Sequence, residues 1–73
     1  MNKSELREFA IKTVGRTSDK EPENPLFDSL DKLEIISAVY DTFGDQANAI
    51  AELDNFSDLD SLYDILKASN VVD

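Results

Sequence analysis

A chain of 73 residues has room for one small domain with a modest core, and its net charge of −9 repels nucleic acid and anionic membranes while attracting basic partners. With no cysteine and no histidine it can form neither disulfides nor Cys/His zinc sites, and it has no thiol or imidazole of its own for catalysis. The charged start, Met1-Asn2-Lys3-Ser4-Glu5, is unlike a signal peptide, and no apolar run approaches the ~20 residues of a membrane span, so a cytoplasmic monomer is expected.

Residues 4–14 are predicted to form the first helix, with Ser4 as N-cap and Gly15 as its stop. Leu6, Phe9, Ala10, Thr13 and Val14 recur at helical spacing and make one apolar stripe, while Glu8 and Lys12 are placed as an i,i+4 pair on the outer face. Residues 15–27 contain Pro22 and Pro25 and read as a loop, with Leu26 and Phe27 anchoring its end on the core. The pattern over 29–43 predicts a second helix ended by Gly44. Leu30, Leu33, Ile36, Val39, Tyr40 and Phe43 form its apolar stripe, with Ile35 at the margin. Asp31, Glu34, Ala38, Asp41 and Asp45 trace a second, mostly acidic stripe expected to face solvent. Ala47, Ile50 and Leu53 suggest a short helical segment within 46–54. Residues 58–68 are predicted as the last helix, capped by Ser57, with Leu59, Leu62, Tyr63 and Leu66 inward and Lys67 suiting the dipole of its last turn. There is no strand alternation and no tandem repeat. The expected fold is all-α: one domain over residues 1–73, a small antiparallel four-helix bundle of three main helices and a short one, with a long first loop.

The charge is unevenly spread. Residues 1–27 hold five acids and five bases, whereas residues 28–73 hold eleven acids against Lys32 and Lys67 alone. The imbalance begins at Asp28-Ser29-Leu30, a tripeptide that recurs at Asp60-Ser61-Leu62. Ser29 follows a Pro-containing loop at a predicted helix start, where free N–H groups and the positive end of the dipole tolerate an anion. A serine there is either an N-cap or a modifiable hydroxyl, and Asp28 could take over capping if Ser29 is modified. Ser61 falls inside the last helix and reads as an ordinary surface residue. Leu30 is either core or an apolar contact for a partner. Residues 54–60 are rich in acids, but an EF-hand loop begun at Asp54 would put Phe56 third and Leu59 sixth, so no metal site is expected.

Asp28-Ser29-Leu30, the phased helix after it, the Phe43-Gly44 ending and the last helix after Phe56-Ser57 together resemble acyl carrier proteins over nearly the whole chain. The resemblance implies that Ser29 carries a 4'-phosphopantetheine arm, taken from coenzyme A by a phosphopantetheinyl transferase, with acyl or aminoacyl groups held as thioesters on its thiol. It implies a carrier for fatty-acid, polyketide or related biosynthesis and not an enzyme. Asp28, Leu30, Asp31, Glu34 and, further along, Asp41 would meet basic and apolar docking surfaces on acyl-loading and acyl-processing enzymes. Leu33, Ile36, Val39, Leu59 and Leu62 would wall an interior that shelters the acyl chain. Leu26-Phe27 stands where the family often has a small residue before the tripeptide, and Asp45-Gln46-Ala47-Asn48 replaces its usual Ile-Pro-acid segment. These departures fit a specialised stand-alone carrier as well as the fatty-acid one. The competing reading is an unmodified acidic helical module that binds proteins through the same face.

Overall fold

Each long helix begins where two side chains can close its first turn. In the computed structural model, which describes residues 1–73, the first helix α1 runs Lys3–Thr13. Its cap is Asn2, whose Oδ1 accepts the Glu5 N–H at 2.8 Å while the Glu5 carboxylate accepts the Asn2 N–H at 2.9 Å. Ser4, the expected cap, lies inside the first turn. Three residues beyond Asn2 stands an acceptor, Glu5, but three beyond Ser4 stands Arg7, which can only donate. The expected Glu8–Lys12 pair gives way to contacts with the loop: Glu8 accepts the Ser18 hydroxyl at 2.6 Å and lies 3.4 Å from the Arg7 guanidinium.

Gly15, at φ +74°, turns the chain out of α1. The loop that follows holds one 3₁₀ turn, Ser18–Lys20. Arg7 pins it by donating to the Ser18 hydroxyl and to the Glu21 and Pro22 carbonyls, each at 2.8 Å. The loop's end is joined to the start of the last helix and the residues just before it: Phe27 N–H donates to the Ser57 carbonyl at 2.9 Å, and Leu59 N–H to the Pro25 carbonyl at 3.0 Å. Neighbouring side chains of an extended segment point opposite ways. Phe27 is buried, so Leu26 is 69% exposed and does not anchor the loop as expected.

The second helix α2 spans Ser29–Phe43, as its periodicity predicts, but its phase differs. Ile35 and Val39 are its fully buried residues and Ile36 and Phe43 are half-buried, while Leu30 (71%), Leu33 (65%) and Tyr40 (44%) are exposed. The helix packs on α1 and on the short α3, Asp45–Asn48, and these neighbours cover only part of an apolar surface that runs most of the way round it. Gly44, at φ +58° and ψ −128°, ends α2 and starts α3. Turns over 49–54 lead to the last helix α4, Leu59–Ala68. Its cap is Asp58, not Ser57. Asp58 Oδ1 accepts the Ser61 N–H at 2.8 Å and the Ser61 hydroxyl accepts the Asp58 N–H at 3.1 Å, while Asn24 holds the other carboxylate oxygen at 3.2 Å.

α1 packs against both α2 and α4. Leu6, Ala10, Ile35, Val39, Phe56, Leu62 and Leu66 are wholly excluded from solvent, and no polar side chain is buried. Ile11, outside the predicted stripe, is buried as well. A radius of gyration of 11.1 Å matches the ~11 Å of a packed domain this long. The chain is thus a small all-helical bundle of four helices without strands, and no helix is long and apolar enough to cross a membrane.

Candidate functional site

The start of α2 is fixed from both sides. Upstream, the ring of Phe27 is buried edge-on against Phe56, with centroids 5.9 Å apart and an interplanar angle of 79°. The bulk of Phe27 therefore lies in the core and not over the following serine. Downstream, Asp28 Oδ1 accepts the Asp31 N–H at 2.9 Å and Asp31 accepts the Asp28 N–H at 3.3 Å, a reciprocal cap. Asp28 is the N-cap and Ser29 the first helical residue. The capping bond at this turn is made by aspartate, so the Ser29 hydroxyl is left for solvent, and Ser29 is exposed.

Beside Ser29 lies an open cleft of ≈ 290 Å³ lined by Ser29, Lys32, Leu33, Ile36 and Asp54. The four α2 residues share one face because they stand at i, i+3, i+4 and i+7. Lys32 is half-buried, with its ammonium 5.7 Å from the centroid of the Phe56 ring. The cleft thus has an apolar wall, one cation and one carboxylate at the foot of an exposed hydroxyl. A larger cleft of ≈ 570 Å³ between α1, the loop and α4 is polar, and three of its four charged residues, Lys3, Arg7 and Asp60, are already used in holding the fold, while Glu23 is exposed. Lys3 pairs with Asp60 at 2.6 Å, and Arg7 is bound to the loop.

The expected docking residues fall into three groups. Asp28, Leu30 and Glu34 are exposed around Ser29. Asp31 is there too, but its side chain is only 13% exposed and forms an ion pair with Arg16. Asp41 is exposed but twelve residues beyond Ser29, about 18 Å along the helix, too far to touch the same contact point. Of the expected wall residues, Val39, Leu59 and Leu62 are packed in the core, and Leu33 and Ile36 line the cleft. The acids at 58 and 60 have structural roles, as cap and as partner of Lys3. Ser61, expected on the plain helix surface, is part of the α4 cap, accepting from the Ser57 N–H at 3.0 Å and donating to Asp58 Oδ1 at 2.7 Å.

Sequence reasoning passed over Arg16. Its guanidinium donates to Glu21 at 2.9 Å, to the Leu26 carbonyl at 2.8 Å and to Asp31, and lies 5.9 Å from the Phe27 ring. The hydrogen bond to Glu21, with the nearby charge of Asp31, holds Arg16 above its ordinary pKa. No spacing rule finds a pair fifteen residues apart across a loop. Lys32, by contrast, follows from its i+3 relation to Ser29. Comparison with family models, with curated proteins and with solved structures gives no match for this chain.

Proposed function

We propose that the protein is a carrier whose Ser29 is converted to a 4'-phosphopantetheine ester and which presents acyl or aminoacyl thioesters to partner enzymes. The observation that carries this reading is the division of labour at the start of α2: Asp28 caps the helix, and the neighbouring Ser29 hydroxyl stands free and exposed. The cleft beside it suits the arm. Lys32 would sit near the phosphate, and Leu33 and Ile36 would receive the apolar part. The arm would supply the thiol that a chain without cysteine lacks.

In the transferase, Ser29 Oγ attacks the pantetheine-side phosphorus of coenzyme A. An Oγ–P bond forms, the pyrophosphate P–O bond breaks, adenosine 3',5'-bisphosphate leaves, and the serine proton passes to a base of the transferase. The residues of this chain bring the hydroxyl to that enzyme. Asp28 and Glu34 attract a basic surface, and Leu30, 71% exposed between them, offers it an apolar contact.

Intact mass before and after incubation with coenzyme A and a broad-specificity phosphopantetheinyl transferase tests the proposal. The expected result is a gain of one phosphopantetheine in the wild type and in Ser61→Ala and none in Ser29→Ala. No gain in the wild type with several transferases would overturn the carrier reading and leave an unmodified binding module.

A further inference from the structure

We infer that Arg16 is an internal counter-ion that withdraws Asp31 from the acidic docking surface, so that a basic partner must displace Arg16 before it can use that carboxylate. Charge pattern alone puts Asp31 in line with Glu34 and Asp41 on one acidic stripe of α2. Geometry separates it. Glu34 and Asp41 are exposed, whereas the Asp31 side chain is 13% exposed and is bound by Arg16 and by the Asp28 N–H.

The same guanidinium reaches three parts of the chain. It binds Glu21 in the middle of the loop, the Leu26 carbonyl at its end, and Asp31 in the first turn of α2, while its face lies over the buried Phe27 ring. Planarity lets one arginine serve all these acceptors, and a lysine ammonium could not match the fork. A partner cation arriving at Asp31 therefore does more than add an ion pair. It breaks the tie between the loop and the corner that holds Ser29. Asp31 is in this sense an acid reserved by the fold, and Arg16 sets which acids a partner reads.

The inference concerns the docking surface of the carrier proposed above and rests on that reading for the identity of the partner. It is tested by the KM of the phosphopantetheinyl transferase for wild type, Arg16→Gln, Asp31→Asn and the double variant, at about 0.15 M salt, where exposed charges beyond about 8 Å are largely screened. Asparagine at 31 can still accept the Asp28 N–H, so the cap is kept. Arg16→Gln should lower KM by about threefold, the scale of one partly exposed ion pair, by freeing Asp31. Lys20→Gln, which removes an exposed charge that makes no hydrogen bond or ion pair within this network, should change it by less than that. Asp31→Asn should raise KM by at least about threefold more in the Arg16→Gln background than in the wild type.

Equal effects of Asp31→Asn in both backgrounds, or an equal drop with Lys20→Gln, would overturn the inference. Hydrogen exchange on the unmodified protein reads the tie without any partner: Arg16→Gln should speed exchange over residues 17–31, and Arg16→Lys should not restore protection. Unchanged exchange would also overturn it. Absence of mass gain in every variant would instead remove the carrier reading, and exchange would still decide whether Arg16 holds the loop to α2.

Discussion

At Asp28-Ser29-Leu30 the first residue of the tripeptide is the helix cap, so serine falls at the first helical position and leucine at the second, where both are exposed. At Asp60-Ser61-Leu62 the cap lies two residues upstream at Asp58, so serine falls third and closes the cap with its hydroxyl, and leucine turns into the core with 0% exposure. The residues are identical and only their offset from the cap differs. A two-residue shift rotates a side chain by about 200° round the helix, enough to exchange solvent for core. A short motif therefore has a defined chemistry only once its distance from the helix start is known.

This contrast can be broken most readily at the leucines. Leu62→Ala should lose about 2–5 kcal/mol, as for a fully buried leucine, a large share of the stability of a domain this small. Leu30→Ala should stay within about 0.5 kcal/mol. Urea midpoints at unchanged m-value give both numbers, and similar losses would mean that α2 is turned differently about its axis. The serines come next. Ser61→Ala should cost about 1 kcal/mol through the α4 cap, and Ser29→Ala under about 0.5 kcal/mol, read from thermal melts.

A subtler distinction lies in acid. The Asp58 carboxyl is held below its ordinary pKa, chiefly by the Ser61 N–H and then by the Ser61 hydroxyl. The folded value lies below the unfolded one of about 3.9, so this contribution is complete above that pH and is lost as pH falls from about 4 towards the lower folded value. Asp58→Asn, which keeps a capping oxygen, should flatten the stability profile in that window, and a profile identical to the wild type would count against the Asp58–Ser61 cap. The smallest effect concerns what the two tripeptides share. Both lie in residues 28–73, which hold eleven acids and two lysines. Moderate salt or magnesium should therefore raise the melting temperature by up to about 4 °C, corresponding to less than 1 kcal/mol. A flat response would show that this repulsion is already relieved within the fold.

Local signals were enough to read α2 from Ser29 to Phe43, α1 and α4 to within a residue or so, and the exposed Ser29. They failed where the outcome depended on contacts between distant segments. With apolar residues round most of α2, periodicity could mark the helix but could not say that Ile35 faces the core and that Leu30 and Leu33 do not. The true caps at Asn2 and Asp58 each stand next to, or one residue away from, an equally plausible serine. Reciprocity decides the first, and the bond from Asn24 on the distant loop supports the second. Arg16 and Asp31 meet only because the loop folds back, so an acid two residues beyond Ser29 looked free in the sequence and is bound in the structure.

One corner has a bearing on handedness. Gly44 joins α2 to α3 at φ +58° and ψ −128°, yet a Cβ added there would meet no atom within 4 Å. Space does not exclude an ordinary side chain from this position; chirality does, because L-residues avoid that region of backbone angles. Reflected, the same angles fall in the polyproline-like region that every residue adopts freely. The turn between the two helices is therefore a natural seat for a D-amino acid, which would match the corner's conformation while narrowing the freedom of the unfolded chain.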